Sequence, residues 1–271
     1  MARDEAGRDF IEALARGMDV IRCFQPQRPE MSLSEVAEAV GLARPTVRRI
    51  LLTLEQLGYA RSRDRGWSLT PKVLELGTAY VQSQGLWDVA RPHMEGLVAQ
   101  TGESTSIAQL DGSDIIYVAR VAVPKIITFS VSIGTRFPAL QTSLGAVLLA
   151  ALSPDELASA LAQPSRSGIT PRWQPSAEER DQFLREVRAR GWAVADEYLA
   201  PGIRSAAVPL RDGDGRVIAA MNVTVHAAET PLDVLVDEHL PRLLAAAGRI
   251  SEDIALRQSV PQVDWAAAAD A

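Results

Sequence analysis

The sequence predicts an α+β protein: an N-terminal winged helix-turn-helix, a linker helix, and a larger C-terminal domain on an antiparallel sheet. Three observations lead there. Two short helical stretches meet at Gly41 and are followed by a basic hairpin pattern. Residues 42–72 carry seven basic side chains (Arg44, Arg48, Arg49, Arg61, Arg63, Arg65, Lys72) against Glu55 and Asp64, a net of five positive charges, while residues 73–271 sum to eight negative. Beyond residue 100, strand pairs and capped helices alternate in blocks, without the regular strand–helix rhythm of a parallel sheet. With 47% apolar and 23% charged residues in a chain of 271, there is enough apolar material to bury cores in two domains. A lone Cys23 forms no intramolecular disulfide and is expected to pack in a core. No apolar run is long enough to cross a bilayer and the start is charged, so the expectation is a cytoplasmic protein with no membrane partner.

Taken in order, Phe10, Leu14, Met18 and Ile21 recur at helical spacing and predict a first helix from Asp9 to Phe24, stopped by Pro26 and Pro29. Ser34 opens a second, from Glu35 to Val40, closed by Gly41. Pro45 suits the first turn of a third helix, whose buried stripe is Val47, Ile50, Leu51, Leu54 and Leu57, with Gly58 ending it. Subtracting that stripe leaves Arg44, Pro45, Thr46, Arg48 and Arg49 outside. Guanidinium groups and a hydroxyl at the start of a second helix suit guanine edges and phosphates in a major groove. Residues 59–62 and 66–69 then read as two strands around Arg63, Asp64 and Arg65, a wing whose Arg61, Arg63 and Arg65 reach flanking phosphates.

Pro71 begins a connector helix with Val73, Leu74, Leu76 and Tyr80 at packing positions, and a further helix runs from Leu86 to Gln100. These helices are expected either to pack on their neighbours or to pair two chains, since a single winged helix spans few base pairs. Strands are expected at Ser104–Gln109 and Ile115–Val121 around the turn Asp111-Gly112-Ser113-Asp114, then at Ile126–Val131, Ala206–Leu210 and Val217–Val225. Gly213 and Gly215 read as a turn, because no Gly-Lys-Ser follows and a strand comes next. Ser153 with Glu156 and Ser176 with Glu179 are capping boxes; Thr230 and Pro231 open a last helical region that Pro241 kinks or divides.

Catalytic and metal patterns are not found. His93, His226 and His239 lie on separate elements without cysteine partners, no Gly-x-Ser-x-Gly elbow occurs, and the neighbours Asp196 and Glu197 face opposite ways on a strand. The expectation is a protein that is not an enzyme and needs no metal or cofactor. One segment does suit a small molecule. The loop Gly134–Ala146 ends in hydroxyls and runs into the apolar helix Val147–Leu152, so Thr142, Ser143, Leu144 and Gly145 would offer helix-start amides to a carboxylate. The alternative is that Thr142 or Ser143 is only the cap of that helix. Asn222 and Thr224, two apart on one strand, share a face.

Several motifs together resemble the IclR family of bacterial transcription regulators from about Phe10 to Leu256: Leu-Ser-Glu-Val-Ala at Leu33, Leu-Glu-Gln-Leu-Gly-Tyr at Leu54, Thr-Ser-Leu-Gly at Thr142, Arg-Gly-Trp-Ala-Val at Arg190, and Gly-Ile-Arg-Ser-Ala-Ala-Val-Pro at Gly202. Phe-Ile-Glu-Ala-Leu-Ala-Arg-Gly at Phe10, Leu-Thr-Pro-Lys-Val-Leu at Leu69, Tyr-Val-Ala-Arg-Val at Tyr117 and Ile-Gly-Thr-Arg-Phe-Pro-Ala at Ile133 look most like its protocatechuate and 4-hydroxybenzoate branch, which controls β-ketoadipate-pathway genes. The resemblance implies a GAF-like effector domain and an effector cleft carried over to Ser143, Leu144, Asp196, Asn222 and Thr224. Where that branch often has Met-Gly-Arg after the serine, Leu144-Gly145-Ala146 stands here, so an arginine is missing; Arg136 replaces it or caps its own loop.

The expected organisation is a winged helix-turn-helix over 1–71, a linker helix over 72–85, a GAF-like effector domain over 86–258 and a disordered tail over 259–271. The DNA-binding set is Ser34, Arg44, Pro45, Thr46, Arg48, Arg49, Arg61, Arg63 and Arg65; the effector set is Arg136, Thr142, Ser143, Leu144, Gly145, Asp196, Asn222 and Thr224. The expected partners are double-stranded operator DNA, a small aromatic or keto carboxylic acid, and a second copy of the chain in a dimer or tetramer. The rival readings are a GAF-like enzyme with an appended DNA-binding domain, which would turn its ligand over, and a structural nucleoid protein, which would need no ligand.

Overall fold

The structure, a computed structural model, describes residues 9–25, 28–63, 66–77, 86–124 and 131–259. The chain divides into two units, Met1–Gln84 and Gly85–Ala271.

In the first unit α1 spans Glu12–Arg22, α2 Leu33–Val40 and α3 Arg44–Gln56. Helix α1 is shorter than the periodicity predicts, and its stripe is mostly outside: Phe10, Leu14 and Met18 are exposed while Val20 is buried with α2 and α3. Cys23 is half-buried, its thiol donating to the Val20 carbonyl at 3.1 Å. The cap of α2 is Ser32, two residues before the expected Ser34: its hydroxyl accepts from the Glu35 amide while the Glu35 carboxylate accepts from the Ser32 amide. That box starts the helix early and leaves Ser34 exposed in its first turn. Val47, Leu51 and Leu54 bury as expected, but Leu57, at the C-cap of α3, is exposed. The wing forms from β2 (Ala60–Arg63) and β3 (Gly66–Leu69). An unforeseen β1, Glu30–Met31, pairs along β3 and makes a three-stranded sheet ordered β1-β3-β2. Gly66 permits the approach, since a Cβ there would stand 2.5 Å from the Met31 carbonyl oxygen. The expected linker helix begins as a 3₁₀ turn, Pro71–Val73, and is helical through residues 74–77; its remainder lies outside the described residues.

The second unit is a six-stranded antiparallel sheet, β6-β5-β4-β9-β8-β7, with helices on both faces. Its strands are β4 (Ser104–Asp111), β5 (Asp114–Val121), β6 (Arg136–Pro138), β7 (Ala193–Asp196), β8 (Ile203–Arg211) and β9 (Val217–His226). Sequence reading missed β6 and placed only Asp196 of β7 on a strand; both are short and sit at the two edges. The strand expected at Ile126–Val131 lies, save its last residue, outside the described residues. Alternation sorts the side chains by face. Ile107, Ala206, Val208, Met221 and Val223 bury against α4 (Leu86–Thr101) and α9 (Leu240–Ser259). Ala108, Tyr117, Ala207 and Ala220 bury against α5 (Ser143–Ala151) and α7 (Ala177–Arg190). Helices α6 (Pro154–Leu161) and α7 carry the two capping boxes that the sequence predicts. After the short α8 (Leu232–Val234) a π-turn, Leu235–His239, leads into α9. Pro241 has no amide to continue an ordinary ladder there, so it divides the region. Ser259 ends α9, and the rest of the expected tail lies outside the described residues. No described helix is long and apolar enough to cross a membrane.

Candidate functional site

Two sites emerge, one in each unit. In the first, α3 presents Arg44, Pro45, Arg48 and Arg49 to solvent, with Thr46 half-buried beneath them. Three of these are arginines on the first two turns, and none is in an ion pair among the described residues, so their charge is available to a polyanion. Ser34 is exposed on α2. On the wing, Arg61 donates through Nε to the Ser68 hydroxyl at 3.2 Å across the hairpin, and Arg63 stands exposed at the end of β2. Arg65 lies outside the described residues.

In the second unit a cavity opens over the α5-facing side of the sheet. Its floor is a polar row set by strand register: Ser104 faces Thr224 on β9, which faces Ser205 on β8, and Arg120 on β5 and Asn222 on β9 flank the fully buried Ser106, which faces both. Every internal bond of that row can be followed. Asn222 Oδ1 accepts from the Ser106 amide at 3.1 Å, its Nδ2 donates to the Thr224 hydroxyl at 2.9 Å, and Arg120 Nη1 donates to the Ser106 hydroxyl at 2.9 Å. The walls are apolar: Tyr117 and Phe137 meet edge to face at 5.6 Å, and Val131, Leu199 and Ile203 complete them. Residues 172–173 strap one wall in place. The Trp173 amide donates to the Tyr198 carbonyl, Gln141 Nε2 donates to the Trp173 carbonyl at 3.2 Å, and the Trp173 and Tyr198 rings stack at 4.5 Å. Glu197, held at φ 57° in the left-handed region, pairs with Arg172 at 2.6 Å and turns the chain toward that wall.

The effector set divides against this geometry. Thr142, Asn222 and Thr224 line the cavity. Ser143, Leu144 and Gly145 do not, because α5 begins at Ser143, four residues earlier than expected. The Thr142 hydroxyl caps it by accepting from the Gly145 amide at 3.0 Å, so Thr142 is both a cap and part of the cavity lining. Ser143 and Leu144 are fully buried, the former in a 2.7 Å hydroxyl pair with Ser205. Gly145 is there for packing: a Cβ would strike the backbone of Ala139. Arg136 caps its hairpin instead of reaching the cavity, with Nη1 2.6 Å from Asp111 and Nε 3.2 Å from the buried Asp114. Asp196 sits in a separate shallow cleft, paired with Arg204 at 2.7 Å.

The residue that sequence reading missed is Arg120. Burial lowers its pKa and the nearby Tyr117 opposes that shift, while burial pushes the Tyr117 hydroxyl well above the ordinary tyrosine value. Among the described residues no carboxylate pairs with Arg120. Its signal was present in Tyr-Val-Ala-Arg-Val: a cation inside an otherwise apolar strand, on the same strand face that Ser104 and Ser106 occupy next door.

A winged helix-turn-helix followed by a domain with a walled, polar-floored cavity defines a DNA-binding regulator with a receptor domain. The family comparisons agree. The model for the C-terminal region of the bacterial transcriptional regulator IclR matches residues 78–252, and that for the IclR helix-turn-helix domain matches residues 13–64. The chain belongs to the IclR family of bacterial transcriptional regulators. It is 40% identical to the Pca regulon regulatory protein of Pseudomonas putida over 88% of this chain and 82% of that one. It is 30% identical to the p-hydroxybenzoate hydroxylase transcriptional activator of Acinetobacter baylyi, over 89% and 91% respectively. A solved IclR homologue from Microbacterium hydrocarbonoxydans, complexed with 4-hydroxybenzoate, superposes with a TM-score of 0.76 at 25% identity, covering 89% of this chain and 98% of that one.

Proposed function

We propose that this protein is a ligand-responsive regulator of aromatic-acid catabolism genes of the β-ketoadipate pathway, binding operator DNA as a dimer or tetramer and taking a small aromatic carboxylic acid as effector. The observation that carries the reading is the cavity: flat aromatic and branched walls over a hydrogen-bonding floor with one cation suit a planar acid bearing polar substituents. The relatives support it, since two act in the Pca regulon or on p-hydroxybenzoate hydroxylase and one homologue holds 4-hydroxybenzoate. In this reading residues 1–71 read the operator through Arg44, Pro45, Thr46, Arg48 and Arg49, with Ser34, Arg61, Arg63 and Arg65 on the phosphates, residues 72–85 link, and residues 86–258 receive the acid. Calorimetric titration of the full chain with 4-hydroxybenzoate, protocatechuate, benzoate and β-ketoadipate tests it. Binding of at least one aromatic acid, with a matching change in operator affinity, is expected; binding of β-ketoadipate alone would replace the aromatic effector with an aliphatic one.

A further inference from the structure

Four arginines of the larger unit are half-buried among the described residues: Arg120, Arg136, Arg180 and Arg204. Three lie against a carboxylate, Arg136 on Asp111 and Asp114, Arg180 on Asp181, and Arg204 on Asp196. Arg120 alone has no such partner, only the Ser106 hydroxyl, and it lines the cavity. Withdrawing a guanidinium from water without an anion costs free energy that a carboxylate ligand would return. Ser106 uses one N–H of Nη1 and fixes the group's plane, leaving other donors for the two-point contact that guanidinium and carboxylate make.

The start of α5 cannot serve instead. Thr142 spends its hydroxyl on the Gly145 amide, and Ser143 and Leu144 show no surface to the cavity. The far end of the floor is acidic: Glu103, on the cavity lining, accepts from the Thr230 hydroxyl at 3.5 Å. It stands three residues along the chain from Ser106, about 10 Å on an extended strand.

We propose that Arg120 is the seat of the effector carboxylate, with the ring between Tyr117 and Phe137 on one side and Leu199 and Ile203 on the other. This rests on the cavity being the effector site. The test titrates full-length wild type, Arg120→Gln, Arg120→Lys and Arg136→Gln with 4-hydroxybenzoate, benzoate and the neutral 4-hydroxybenzamide. Wild type should prefer 4-hydroxybenzoate to the amide by roughly 30-fold, and Arg120→Gln should lose about that factor for both acids while holding the amide within about threefold. Arg120→Lys should recover part of the loss, and Arg136→Gln should bind the acids like wild type. Undiminished acid affinity in Arg120→Gln overturns the seat and leaves the aromatic reading standing. If Arg120→Gln does not fold, Arg120→Lys carries the test: an acid-over-amide preference equal to wild type overturns the proposal. Should wild type bind no aromatic acid, pyruvate and glyoxylate replace them; dependence of their binding on Arg120 keeps the seat without the aromatic reading, and no carboxylate binding at all overturns both.

Discussion

The arginines of the two units face opposite problems. On α3 they are exposed, without ion-pair partners among the described residues, on a helix whose other side is closed by Val47, Leu51 and Leu54. Among the described residues of the larger unit the half-buried arginines are placed one by one, three compensated by carboxylates and one by a single hydroxyl. Exposed cations act as a group on a polyanion, and salt screens them. A half-buried cation acts on whatever single group reaches it, with little screening. One residue type thus supplies diffuse attraction in one unit and point recognition in the other, and solvent exposure makes the difference.

Four measurements would break or sharpen that contrast. The largest effect belongs to the interior. Ser143→Asp places an unpaired carboxylate against Ser205 in a fully buried position, and thermal or urea denaturation should show a loss of about 3–5 kcal/mol. A variant that kept wild-type stability and lost only ligand affinity would return Ser143 to the cavity. Next comes the double substitution Arg48→Ala with Arg49→Ala, which should cost about 100-fold in operator affinity at fixed salt and relax sequence preference. Equal footprints would remove α3 from the groove. Thr142→Ala removes the α5 cap and should cost about 1 kcal/mol of stability, read as a lowered Tm, without moving the helix start. The smallest effect is expected of Arg63→Ala: a few-fold weaker binding spread evenly over sequences, with the slope of log affinity against log salt reduced by about one. A change in base preference instead would make the wing a reader of sequence.

Much of the fold was legible because its signals are local. Capping boxes at Ser153 and Ser176, the stripe on α3, and the alternation of β4, β5, β8 and β9 each need only a few consecutive residues. The errors fall where distant residues decide. Strand β1 exists because Gly66 leaves room beside Met31, and β6 and β7 are edge strands of three and four residues whose pairing comes from their neighbours. The start of α5 was misplaced because Ser143-Leu144-Gly145 reads as a loop until the helix is seen to be buried almost all round, with Ala139 against Gly145.

By itself, then, the sequence determined the two-unit plan, the basic helix and wing, the antiparallel α+β body and the family to which the chain belongs. Periodicity, capping and charge are written in neighbouring residues, where short-range sterics and hydrogen bonding act. Only the tertiary structure decided which side chains line the cavity. Strand register set Arg120 and Ser106 in one row with Asn222, which lies more than 100 residues further along the chain, and burial turned Ser143 and Leu144 away from it. Arg136 and Asp196 lie outside the lining of that cavity, each paired with an opposite charge that only folding brought within reach.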